Sequence, residues 1–198
     1  MKKIIFVLIM MMSFVFLYSQ KTIGHYYSSF FQKTYDIQAS YDNDGLAYYI
    51  EGESRDNVSK QIFLMIQENK ISNFMDFLNY LKDTYVKWSN TANENNVTDL
   101  DKQIEYKDLY FGVCFSYGDW QFNFNTYVYA RFKITKGEKL MIIQCDKVES
   151  GANEYITTNG FYITFSSVKE IDDLIKSINP TKDKGVFIQE KNKETLFK

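Results

Sequence analysis

The chain has 198 residues, with 23 basic against 25 acidic side chains, one His, two Cys and one Pro. Only two of the basic residues are arginines (Arg55 and Arg131), and no stripe of positive charge runs through the sequence, which excludes a domain that neutralises nucleic-acid phosphates. Nine glycines, none in a phosphate-loop or dinucleotide pattern, exclude the common nucleotide cradles.

In chain order, MKKIIFVLIMMMSFVFLYSQ comes first. Two lysines precede an apolar run from Ile4 to Tyr18, and Ser19 offers a small residue at the exit. That order is the grammar of a secretory signal peptide over residues 1–19. The run is shorter than the roughly 20 apolar residues that cross a bilayer. With no Cys near the cleavage point, lipid attachment is not available, and the mature form is expected to carry no membrane anchor. It is expected in a periplasm or outside the cell. Without Lys2 and Lys3 the balance becomes 21 basic against 25 acidic residues, or −4. Residues 20–181 then read as one domain with a sizeable core, and 182–198 as a charged, loose tail.

The stretch SYDNDGLAYYIE (residues 40–51) has two readings. As a hairpin turning at Asp42–Gly45, it pairs Tyr41 with Leu46, Ala39 with Tyr48 and Ile37 with Ile50. One face is then apolar throughout, and register follows the buried face. As a calcium loop it would use Asp42, Asp44 and Glu51. The first ligand position holds Ser40, however, and the flanks alternate as strands do. The hairpin accounts for more of the residues. Just beyond it, Glu51 and Glu53 sit at strand spacing with Asp56 nearby, a carboxylate pair of the kind glycoside hydrolysis uses. Gly52, Ser54 and Arg55 beside them read as wet surface, with nothing to raise one pKa above the other.

Val58–Ile66 reads as a further strand. Phe74, Phe77, Leu78, Leu81, Tyr85 and Trp88 recur at helical spacing, capped by Ser72 or Asn73 and fading around Asn93–Asn96. A turn at Tyr117–Trp120 pairs Phe115 with Phe122 and Val113 with Phe124. The alternation continues through Val128, Ala130, Phe132 and Ile134, a strand long enough to predict a bend or bulge near Asn125–Thr126. A turn near Lys136–Glu138 pairs Ile134 with Leu140 and Phe132 with Ile142. Phe161–Phe165 forms one more strand. Ser167 to Glu170 is a capping box, and Ile171, Leu174, Ile175 and Ile178 face inward before Pro180 stops the helix. Val186–Ile188 offers an edge strand. The fold class is α+β, a predominantly antiparallel sheet of about seven or eight strands, with one long mid-chain helix and one C-terminal helix packed on it.

The chemistry inventory is short. His25 would have to serve any Ser-His-Asp or Cys-His arrangement, and no partner spacing accompanies it. The predicted register separates Cys114 from Cys145 by about 20 Å along the strands and about 10 Å across them, so two buried free thiols are expected rather than a disulfide. No catalytic set, cofactor or metal site is assigned. Gln121, Asn123, Asn125, Tyr127, Tyr129, Arg131 and Lys133 share a polar strand face, with Tyr127, Tyr129 and Arg131 its interface-type anchors. Met141, Ile143 and Cys145 fall on the same face in this register, which favours packing at the Tyr end. The function expected is non-enzymatic binding of a protein partner or a cell-surface glycan. The alternatives are an envelope hydrolase using Glu51 and Glu53, and a calcium-modulated binding module.

Overall fold

The computed structural model of the chain describes residues 20–56 and 59–195. Residues 1–19, where a signal peptide is expected, Asn57, Val58 and residues 196–198 lie outside the described residues. Ten strands form one antiparallel sheet. These are β1 (Lys21–Ser28), β2 (Lys33–Asp42), β3 (Gly45–Ser54), β4 (Ile62–Gln67), β5 (Leu100–Ile104), β6 (Tyr110–Tyr117), β7 (Asp119–Tyr127), β8 (Tyr129–Thr135), β9 (Glu138–Gln144) and β12 (Phe161–Phe165). A two-residue pair, β10 (Val148–Glu149) with β11 (Thr157–Thr158), stands apart. Three helices follow the same numbering: α1 (Ile71–Glu94), α2 (Val168–Ser177) and α3 (Pro180–Thr195). No helix among the described residues is long and apolar enough to cross a membrane.

The sheet runs β5-β8-β9-β12-β3-β4-β6-β7, and β3 is its hub. One edge of β3 pairs with β4 over residues 47–52; the other pairs first with β2 over 45–50 and then with β12 at Glu53 and Ser54. The β2–β3 register is Ile37↔Ile50, Ala39↔Tyr48 and Tyr41↔Leu46, as the apolar face requires. Gly45, with φ +98°, closes the turn in a conformation that Gly tolerates.

Helix α1 lies across the inner face. Phe74, Phe77, Leu78, Leu81 and Tyr85 are buried there. Phe74 meets Phe111 of β6 edge-on at 5.5 Å, while Tyr85 and Trp88 meet Phe132 of β8 at 5.9 and 5.6 Å. One helix therefore ties together strands from both halves of the sheet. Its start differs from expectation. It continues directly from a 3-10 turn at Glu68–Lys70, with Lys70 at the N-cap and no side-chain cap. Asn73 instead donates to the Asp108 carbonyl.

Two predicted hairpins are each shifted by one residue. The β6–β7 pairing closes on Gly118, placing Cys114 opposite Phe122 and Phe115 opposite Gln121. The β8–β9 turn is the two-residue Lys136–Gly137, both at positive φ, so Thr135 faces Glu138 and Phe132 faces Met141. Met141 and Ile143 therefore join the inner core, and Leu140, Ile142 and Gln144 take the outer face. The long strand bulges at Phe124–Asn125 opposite Gly112 and breaks at Val128. The bulge switches the faces: Trp120, Phe122 and Phe124 turn outward, and Gln121 and Asn123 turn inward toward the β10–β11 segment. There Ser150 Oγ donates to Gln121 and Asn123 donates to the Glu149 carbonyl. Strand β4 begins at Ile62, and β5, β10 and β11 add pairings beyond those expected.

The tail is also corrected. Residues 180–195 form helix α3 and not loose chain or an edge strand. Asn179 caps it, its side chain accepting from Lys182 N at 3.1 Å, and Pro180 occupies the first helical position, where its missing N–H is no loss. Asp183 accepts from Asn179 N at 3.1 Å and from the buried Tyr48 hydroxyl at 2.6 Å, which moors the helix to β3. In α2, Ser167 accepts from Glu170 N as expected, but the Glu170 carboxylate turns to Ser166 N and Ser29.

Candidate functional site: a groove on the outer face

Outer-face residues of β8, β9, β12 and β3 line a groove of about 810 Å³, walled on one side by Phe30 and Phe31 from the β1–β2 turn. Leu140, Ile142 and Thr164 form its floor, and Tyr129, Arg131, Gln144, Asp146, Tyr162, Glu53 and Arg55 its polar rim. Strand alternation explains the set: Tyr129, Arg131 and Lys133 point outward because Ala130, Phe132 and Ile134 point into the core.

The rim is held by a chain of contacts. Gln144 donates to the Tyr129 hydroxyl, which donates to Asp146 Oδ1 at 2.9 Å. The same carboxylate oxygen accepts from Arg55 at 2.7 Å, and the Arg55 guanidinium lies 4.9 Å from the centre of the Tyr162 ring. Arg55 also donates to the Cys145 carbonyl at 3.1 Å. At the other end Arg131 Nε pairs with Asp101 at 2.6 Å. Lys133 and Lys136 also line the groove and form no ion pair with a described residue.

The electrostatics follow from these contacts. The hydrogen bond from Arg55, helped by Tyr129, holds the Asp146 carboxyl below its ordinary range against the opposing effect of burial. Burial pushes Glu53 up, but hydrogen bonds from Tyr35 at 2.7 Å and Lys33 at 3.0 Å outweigh it, and the net shift is downward. Burial raises the Tyr129 phenol, with Gln144 and Asp146 acting in opposite directions. Both carboxylates are thus stabilised as anions.

The structure sorts the candidates from the sequence. Tyr129 and Arg131 line the groove. Tyr127 lies one step away, in a smaller cavity of about 350 Å³ that shares Tyr129 and Asp146 with the groove. The Tyr127 ring stacks on Tyr129 at 6.1 Å and leans on Tyr110 at 5.4 Å. Glu51 is outside the groove, accepting from Asp36 N at 3.0 Å. Asp56 ties its loop to β11 through Thr158 and Asn159 N. Asp42 accepts from Asp44 N within its own turn. Six residues of strand, about 20 Å, separate that turn from Glu51, so these carboxylates do not share an ion. No group of three or more His, Cys, Asp or Glu side chains among the described residues is placed to hold a metal. His25 pairs with Asp36 at 2.9 Å on the surface. Cys114 and Cys145 are free and buried, and burial pushes each thiol up to about 12.

Arg55, Gln144, Asp146 and Tyr162 escaped the sequence reading because they meet across about ninety residues of chain, as in the Arg55–Asp146 pair at a separation of 91. The only local signal was arginine scarcity: both arginines of the chain line this groove. No family model, curated protein or solved structure matches the chain.

Proposed function

We propose that this chain is an exported, non-enzymatic binding domain that takes a glycan chain along the outer groove. One observation carries the reading. A roomy open channel combines an apolar floor and aromatic faces with polar groups already tied in place through Tyr129, Asp146 and Arg55. Sugars present apolar C–H faces and hydroxyl edges together. A site with aromatic walls and a few fixed donors and acceptors meets both without reorganising on binding.

The hydrolase alternative draws on Glu53, which does lie in the groove. Its carboxyl and that of Asp146 are both held low by donors. A glycosidase acid needs the opposite, a raised pKa that keeps its proton near neutrality. That contrast favours binding over turnover.

The test is a soluble glycan array probed with the purified protein, alongside Arg131→Ala and Tyr129→Phe. Binding to a defined glycan class, weakened at least tenfold by Arg131→Ala, is the expected result. No glycan signal together with capture of a peptide by the same groove would move the reading to a protein partner. Cleavage of any array glycan, lost in Glu53→Gln, would overturn it in favour of the hydrolase.

A further inference from the structure

The groove does not stop at Tyr129. The smaller cavity of about 350 Å³ adjoins it there, with Tyr129 and Asp146 lining both. Its other walls are Asn123, Asn125 and Tyr127 at the end of β7, and Lys147 to Glu149 running into β10. The chain itself makes this junction. Strand β7 is last in the sheet order and β8 second, yet only Val128 separates them in sequence. Val128 is fully buried, and its N–H donates to the Leu109 carbonyl at 2.8 Å. With that residue anchored inward, Tyr127 and Tyr129 on either side of it both turn outward.

The two rings lie within 18° of parallel, with centres 6.1 Å apart, and Tyr110 of β6 adds a third ring 5.4 Å from Tyr127. Tyr110 and Tyr127 are 46 and 44 % exposed. A row of accessible aromatic rings thus continues from the rim of the groove toward β6. Polar groups continue with it. Asn123 is committed, donating to the Glu149 carbonyl at 2.9 Å and accepting from Asn125 N at 3.0 Å. The exposed Asn125 side-chain amide and the Tyr127 hydroxyl have no hydrogen-bond partner among the described residues. The smaller cavity therefore repeats the chemistry of the groove, aromatic rings beside amide and hydroxyl groups. Along β8 the outward residues from Tyr129 to Thr135 already span about 20 Å, and the second cavity lengthens that track past Tyr129.

We propose that the two cavities form one binding track, with Tyr129 and Asp146 at the saddle and Tyr127 with Asn125 as a further subsite. The site then takes a linear oligosaccharide of several residues and not a mono- or disaccharide. This rests on the glycan reading above and adds to it the length of the occupant. A sugar unit that reaches the second cavity gains contacts there, while the cost of association is met once for the whole chain.

The test is calorimetric titration of the purified wild type and Tyr127→Ala with three size-graded series: cello-oligosaccharides, N-acetylglucosamine oligomers and hyaluronan fragments, each from disaccharide to octasaccharide. In a series that binds, wild-type affinity is expected to rise with length. Tyr127→Ala should level off earlier, leaving the octasaccharide at least fivefold weaker. The shortest oligomer that binds should change less than twofold, because Tyr127 does not line the groove and Tyr129 keeps its bonds to Gln144 and Asp146. Asn125→Ala removes an exposed amide, guards against a folding defect in the Tyr127 variant, and should weaken the octasaccharide at least twofold with the same dependence on length. Wild-type affinity at every length in both variants overturns the second subsite and leaves the groove reading standing. An equal loss at every length overturns it as well, since Tyr127 would then act only through Tyr129. No binding in any series overturns the groove reading, and the subsite falls with it.

Discussion

The two halves of the outer face are built from the same sheet and differ in almost every property. Across β8, β9 and β12 an apolar floor of Leu140 and Ile142 is bordered by polar residues tied to one another, from Gln144 through Tyr129 and Asp146 to Arg55. Across β3, β4 and β6, Tyr49, Phe63, Met65 and Cys114 form an apolar, buried cluster. The inner face shows no such division, because α1 spans it from Phe111 to Phe132 and gives both halves one core. One face of the sheet thus carries two chemistries while the opposite face carries a single core. Strand alternation decides only which residues share that face.

Substitutions can break this comparison or sharpen it. The largest effect is expected on the inner face, where Phe132→Ala removes the ring held between Tyr85 and Trp88. Urea unfolding should show a loss of about 3–5 kcal/mol. Phe63→Ala, in the small outer cluster where the ring packs on Trp120, should cost about 1.5–3 kcal/mol. Equal losses at the two positions would erase the distinction between the faces. Asp183→Ala strands the buried Tyr48 hydroxyl and Asn179 N, with an expected cost of about 1–3 kcal/mol and lost protection of α3 amides from hydrogen exchange.

The polar half should show itself in pH dependence. Asp146 and Glu53 have folded pKa values below their ordinary ones. Their contribution is complete above the unfolded values, about 4, and is lost as pH falls through the folded ones. Acid titration of stability should therefore be shallower below pH 4 in Asp146→Asn than in wild type. The smallest effect belongs to Arg131→Ala. Its pair with Asp101 is partly exposed, so stability should change by less than about 1 kcal/mol while binding in the groove falls at least tenfold.

How much of this was legible in the sequence varies along the chain, for physical reasons. The β2–β3 hairpin could be read residue by residue, because both of its strands carry a one-sided apolar pattern and Asp-Asn-Asp-Gly admits few turns. Helix α1 was equally clear from its stripe. The β6–β7 and β8–β9 hairpins could not be placed to the residue. Phe and Ile occur on both of their faces, so a one-residue slip leaves the pattern nearly as good. The deciding terms are the turn at Lys136–Gly137 and the bulge at Phe124–Asn125. Helix α3 was hidden by Pro180, a residue that ends one helix and begins the next equally well. Of the groove, Tyr129 and Arg131 were visible as an outward pair, while their partners depend on strand order that no local pattern encodes.

The position of β3 has a consequence in time. Its first partners, β2 and β4, are its neighbours in sequence, but the pairing of Ser54 with Phe161 waits for more than a hundred intervening residues. Hairpins form in microseconds, whereas closure over such a span is slow in folding and late in synthesis. The half of the sheet that bears the groove is joined to β3 only when almost the whole chain has been made. On the proposed route through an export channel, that delay leaves the polypeptide open to threading until its last strand arrives.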